Sequence, residues 1–267
     1  MAGNDDAKEE AGGGKVGAII NAGADIAGAA VGSALGFLAA GPGGAAVGGA
    51  GGAFAAHALR GLGEEAAGRL LGPREKVRVG GALAIAASKI RSRVERGENL
   101  RQDGFFEPQH NGRSDADEVA ESVLLKCQRE AEERKIPYMA FLIGNFAFDS
   151  QISAGLAHQI VRTAESLTYR QLCILKIAAF KGQYGLRQGD YRGQQRFDKP
   201  LYELLYECLD LYHRALINFG GEVAFGPTDI KPGSLTIQGM GADLFNQMGL
   251  ATIPQGDLDP IIAELSK

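Results

Sequence analysis

A chain of 267 residues with a formal net charge of −4 is long enough for one large or two modest domains, and no overall charge draws it to nucleic acid. Its 39 glycines are about twice the usual share of roughly 7%, and they cluster in the N-terminal quarter. Three widely spaced cysteines, Cys127, Cys173 and Cys208, form no CxxC pair and read as reduced core thiols, which excludes a disulfide framework.

Residues 1–15 read as a disordered tail. They are polar and acidic, the reverse of the basic start of a secretory signal. Residues 16–72 read as a glycine-rich hydrophobic hairpin. Two low-charge helical segments, 16–40 and 44–59, meet at the turn "GPGG". Small residues recur at every fourth position from Ala24 through Gly28, Gly32, Gly36 and Ala40 to Gly44, Gly48, Gly52 and Ala56.

Glycine weakens a helix in water by about 1 kcal/mol relative to alanine. In a bilayer the lipid tails are as apolar as leucine, and a groove of small residues lets two backbones approach. Gly28, Gly32, Gly36, Gly44, Gly48 and Gly52 are therefore the candidate helix-packing and oligomerisation residues. A tightly packed soluble hairpin is the competing reading.

The insertion energy is close to balance. Val16, Ile19, Ile20, Ile26, Val31, Leu35, Phe37 and Leu38 favour insertion by roughly −2.4 to −4.8 kcal/mol in sum. A central Asp25 opposes it by about 2.5–3.5 kcal/mol. The second segment offers only Val47, Phe54 and Leu59 and is short for a span of about 20 residues. Neither helix is an autonomous anchor. Insertion requires hairpin pairing, oligomerisation or protonation of Asp25, the candidate insertion control. The expected location is the cytoplasm, with conditional or peripheral association with the inner membrane, and membrane lipid and further copies of the chain as partners.

Residues 73–110 read as a basic amphipathic helix and linker after the Gly72-Pro73 break. Val77, Leu83, Ile85, Ala86 and Ile90 make its apolar side. Arg74, Lys76, Arg78, Lys89, Arg91 and Arg93 crowd its ends and are the candidate contacts to anionic lipid headgroups. An ordinary solvated helix surface is the alternative. "GFFEPQHNGRSD" is a linker or an ordered loop.

Residues 111–166 read as a helical region. A helix over 115–135 is capped by Ser114 or Asp115 and turns Val119, Val123, Leu124 and Cys127 inward. Pro137 opens the next helix, and another runs over 153–165. Residues 167–267 begin with Thr168 and Gln171 at capping-box spacing ahead of "LCILKIAAF". A polar loop at 182–199 follows, and Pro200 opens a helix running to Gly220-Gly221. "EVAF" and "SLTIQ" read as a hairpin about "GPTDIKPG", with "GADLFNQMGL" as a closing helix. The expected fold is mainly α: a glycine-rich helical hairpin, then a helical domain ending in a winged-helix-like α+β module.

No catalytic, cofactor-binding or metal-ligating residue emerges. His57, His110, His158 and His213 lack HExxH spacing, "GGGK" lacks the rest of a phosphate loop, and no GxSxG elbow occurs. The helix at 201–219 carries Glu203, Glu207 and Asp210, poor readers of a DNA groove. Arg187, Arg192 and Arg196 in the preceding loop are diluted by Asp190 and Asp198, so DNA is disfavoured.

The segments "REKVRVGGALAIAASKIRSRVERGE", "AESVLLKCQREAEERKIPYMAFLIGNFAFD", "SLTYRQLCILKIAAF" and "SLTIQGMGADLFNQMGL" resemble the abortive-infection alpha family of bacterial proteins, over residues 74–250. The resemblance implies an α-rich chain with a winged-helix-like end and a part in phage defence. It carries no catalytic residue across. The expectation is a non-enzymatic effector that associates with or permeabilises the inner membrane and answers to an unidentified partner or trigger protein. The alternative is a soluble winged-helix adaptor or regulator binding a partner protein or DNA. If the Asp25 charge limits insertion, Asp25→Asn raises the vesicle-bound fraction roughly tenfold; an unchanged fraction in sedimentation removes Asp25 from that control.

Overall fold

The computed structural model describes residues 72–194 and 196–267. The expected tail, Asp25 and the glycines at 28, 32, 36, 44, 48 and 52 lie outside the described residues. The described residues are mainly helical, with eight α-helices and one two-stranded sheet. They divide into two units, 72–166 and 167–267.

In the first unit α1 spans Pro73–Glu95, α2 Asp115–Arg129, α3 Ile136–Phe146 and α4 Ala154–Ser166. Pro73 sits in the first turn of α1, and the Glu75 carboxylate accepts the Gly72 N–H at 2.7 Å. That hydrogen bond, with one from Gln128, holds Glu75 below the usual carboxylate range. The five residues assigned to the apolar side of α1 are all buried. Burial nevertheless goes beyond the expected stripe and wraps the whole circumference from Val79 to Ala87. Small residues here, Gly80, Gly81, Ala82, Ala84 and Ala86, suit close packing of helix on helix. The clearest contact is with α3, where a Cβ built on Gly144 falls 2.9 Å from Cβ of Lys89.

The segment after α1 is an ordered loop. Phe105 and Phe106 are buried edge to face, with ring centroids 5.5 Å apart. Arg101 is buried beneath them. It donates to both carboxylate oxygens of Asp103, at 2.8 and 2.5 Å, and to the carbonyls of Ile152 at 2.8 Å and Phe146 at 3.3 Å. Its guanidinium stacks on Phe105 at 4.2 Å.

Ser114 caps α2 as expected. Its Oγ accepts the Asp117 N–H, and the Asp117 carboxylate accepts the Ser114 N–H. The helix does not continue to 135. It ends at Arg129, and a 3₁₀ turn, Glu133–Lys135, leads into α3 with Pro137 in its first turn. The break lets Lys135 turn inward, where Nζ pairs with Glu130 at 2.6 Å and donates to the Glu165 carbonyl at 3.0 Å. A charge at this depth requires both partners.

The second unit contains α5, Tyr169–Ala179; α6, Lys199–His213; β1, Ile217–Asn218; β2, Thr236–Ile237; α7, Met240–Gln247; and α8, Gln255–Leu265. The Thr168–Gln171 capping box forms as read. Arg170 grips Glu207 through two hydrogen bonds of 2.8 and 2.9 Å, and Gln171 donates to Asp210, tying α5 to α6.

Three elements differ from expectation, one of them α8, which the sequence reading did not include. The helix opened by Pro200 stops at His213, and Ile217 and Asn218 form β1 instead of its last turn. The partner is β2, antiparallel, with Ile217 opposite Ile237 and Asn218 opposite Thr236. "EVAF" forms no strand; only a single bridge joins Phe219 to Glu222. A short apolar run such as "ALINF" suits either helix or strand, and tertiary packing decides. Here Leu216, Ile217 and Phe219 are all buried.

The turn out of α6 is strained at Ala215, a non-glycine residue with φ 55°. Just beyond, the first turn of α7 lies so close that a Cβ on Gly241 would overlap the Leu216 carbonyl oxygen. Ala215→Gly should therefore raise stability by about 0.5–1 kcal/mol, because relief of the left-handed strain exceeds the added entropy of the unfolded chain. Gly241→Ala should lower it by roughly 2 kcal/mol or more. Urea unfolding curves compare both with the parent chain; equal midpoints would contradict this account of the crossing.

Candidate functional site

The six basic residues assigned to lipid headgroups do not converge. Arg74, Lys76 and Arg78 stand at one end of α1, and Lys89, Arg91 and Arg93 at the other, about 22 Å away at 1.5 Å per residue. Several are engaged within the unit. Arg78 donates to the Gln128 carbonyl at 2.9 Å and pairs with Glu133 at 3.4 Å. Arg93 pairs with Glu98 at 2.6 Å, donates to Asn145 and stacks over Phe148. Lys89 lies 5.1 Å from the Phe141 ring centre. Arg91 pairs along its own helix with Glu95, Arg74 reaches Glu133 at 3.5 Å, and Lys76 is exposed.

The loop arginines are also spread out. Arg187 stacks over Tyr191 at 4.5 Å and donates to the carbonyls of Gly189, Asp190 and Lys267. Arg192 is bound to Asp229, while Arg196 is exposed. No group of three or more metal-ligating side chains occurs among the described residues. Cys127, Cys173 and Cys208 are buried thiols in no disulfide, and burial pushes Cys127 and Cys208 up to about 12.

The most distinctive surface lies in the connection from β1 to β2. Gly220 and Gly221 both have positive φ, and the Asn218 side chain accepts the Gly220 N–H. The chain then runs Glu222, Val223, Ala224, Phe225, Gly226. Val223 is 58% exposed and Phe225 86% exposed, whereas Ala224 between them is buried. The alternation is that of an extended segment with one side inward.

Asp229 braces this tip. Its Oδ2 accepts the N–H groups of Phe225 at 2.7 Å and Gly226 at 3.1 Å, and its Oδ1 accepts Arg192 Nε at 2.6 Å. Arg192 is the main cause, and the Phe225 N–H the next, of an Asp229 carboxyl held below its usual range. Lys231 pairs with Glu222 at 2.5 Å across the base. An exposed aromatic pair, Tyr202 and Tyr206, stands one turn apart on α6.

Sequence reasoning placed 222–225 in a strand and missed the exposure. The apolar-small-apolar pattern between glycines carried the signal, but alternation alone does not say which side faces water. The arrangement presents apolar side chains; it contains no nucleophile–base pair. No protein-family model matches the chain, and neither a curated protein nor a solved structure does.

The Asp229 brace has a defined pH sign. Its folded pKa lies below the unfolded value of about 3.9, so its stabilisation is complete above that value and is lost as pH falls through the folded one. Asp229→Asn should flatten the acid limb of the unfolding curve and speed protease cleavage within 219–226 at neutral pH. An acid limb and a cleavage rate equal to the parent's would remove Asp229 as the brace.

Proposed function

We propose that this chain is a non-enzymatic anti-phage effector of the abortive-infection type, which associates with or permeabilises the inner membrane through an oligomerising glycine-zipper hairpin. The observation that carries the reading is the four-residue register of small residues from Ala24 to Ala56, on both sides of the GPGG turn, with a first segment whose insertion energy is near zero. A segment near that balance changes state for a small input, such as a partner protein or pairing with a second copy.

Among the described residues no helix is long and apolar enough to cross a membrane. The reading accordingly assigns membrane activity to residues 16–59. The two helical units then serve as the sensing or partner-binding part. Their order of helix, helix, strand, strand, helix in 167–247 supports a winged-helix-like module. Of the headgroup set Arg74, Lys76 and Arg91 are the exposed members, Arg74 and Arg91 also pairing with Glu133 and Glu95. A soluble adaptor is the second reading, and the exposed Tyr202–Tyr206 pair favours it, because tyrosine is enriched at protein interfaces.

Dye-loaded vesicles test the first reading. The parent chain should release the dye, and Gly32→Leu combined with Gly36→Leu should cut release at least several-fold, with loss of oligomers on cross-linking. Full leakage and intact oligomers in that double variant would count against the groove.

A further inference from the structure

We infer that the tip of the β1–β2 connection, centred on Val223 and Phe225, is a contact with the lipid interface. The inference rests on the membrane reading above, because a contact this small needs a chain already held near the bilayer.

Phe225 is the most exposed of the large apolar side chains among the described residues, and Val223, two residues before it, is exposed as well. A loop free to collapse would tuck such side chains away from water. This one is held open from beneath. Asp229 takes the N–H groups of Phe225 and Gly226, Arg192 holds Asp229, and Lys231 spans to Glu222. The same bonds suit the tip for a low-dielectric layer. A peptide N–H entering such a layer must already have a partner, and the two nearest are supplied by Asp229. The charges at the base are paired, so entry brings no lone charge with it.

The size of the tip separates lipid from protein. A buried phenylalanine covers roughly 150–250 Å², whereas a specific protein interface buries about 800 Å² on each partner. One phenylalanine and one valine fall well short of that. A fluid lipid interface requires no matched opposing surface, and a convex apolar tip suits it. Because the base is charge-paired, the contact should tolerate salt and should not depend on anionic lipid.

The chain has no tryptophan, so Phe225→Trp in the full-length protein creates a single reporter at the tip. On zwitterionic phosphatidylcholine vesicles its emission should shift to shorter wavelength. Lipids brominated near the headgroup should quench it, and added salt should not reverse the shift. Dye leakage is followed in the same samples. Vesicle binding or leakage with a reporter that keeps its solvent emission would overturn the tip contact and leave the zipper reading intact. A reporter that shifts while no dye escapes would support the contact and count against permeabilisation. A chain that neither binds nor leaks vesicles would overturn both.

Discussion

Cationic side chains donating into main-chain carbonyls are the interaction on which both units depend. Helices leave their last carbonyls without internal partners, and loops leave more. In the first unit Arg78 reaches the carbonyl of Gln128 in the last turn of α2, Lys135 that of Glu165 in the last turn of α4, and Arg101 those of Phe146 and Ile152. In the second, Lys176 donates to the carbonyls of Ala251 and Ile253, both at 2.7 Å, and Arg187 to three more. Each long side chain closes an opening that no backbone donor fills. A hydrogen bond to a charged group contributes about 1.5–3 kcal/mol, and losing the cation strands the carbonyls as well. Burial pulls the Lys176 ammonium below its usual range, the electrostatic cost of this device.

That device explains where the basic residues of α1 went. By count, Arg74, Lys76, Arg78, Lys89, Arg91 and Arg93 look like a surface patch. By partner, Arg78 and Arg93 are bolts within the unit, and Lys89 lies against Phe141. A sequence displays charge without displaying its partners, most of which here lie 50 or more positions away, as with Arg78 and Gln128 or Arg93 and Asn145. Local signals fared better. Ser114 with Asp117, Thr168 with Gln171, and Pro137 each mark a helix start, because a cap is decided within four residues. The helix expected over 115–135 stops at Arg129, and Lys135, which it would have carried, donates instead to the remote Glu165 carbonyl. "ALINF" failed for a related reason: β1 exists only because β2 and the first turn of α7 close over it.

The β1–β2 connection joins these two lessons. Its glycines and "GPTD" read correctly as a turn, and its alternating apolar residues read as a strand. What the alternation could not disclose was that no strand among the described residues lies opposite 222–225. Asp229 supplies the missing order from four residues away, replacing a ladder of backbone bonds with one carboxylate. Val223 and Phe225 therefore remain exposed, with no strand among the described residues to cover them.

In the proposed function two weak apolar features occur on one chain, and weakness is the common property. The segment at 16–40 is near zero in insertion energy, that at 44–59 is short for a span, and the tip offers two side chains. Either one alone would leave the protein in water most of the time. On one chain, the first contact raises the effective concentration of the second, so the two together hold far better than either does. Such a pair responds steeply to a small change in one member, whether protonation of Asp25 or pairing of two glycine grooves. A single long leucine-rich span would bind harder and respond less. Under that proposal the glycine register suits a chain whose membrane state is set by assembly, and the two units within 72–267 are the part that answers to it.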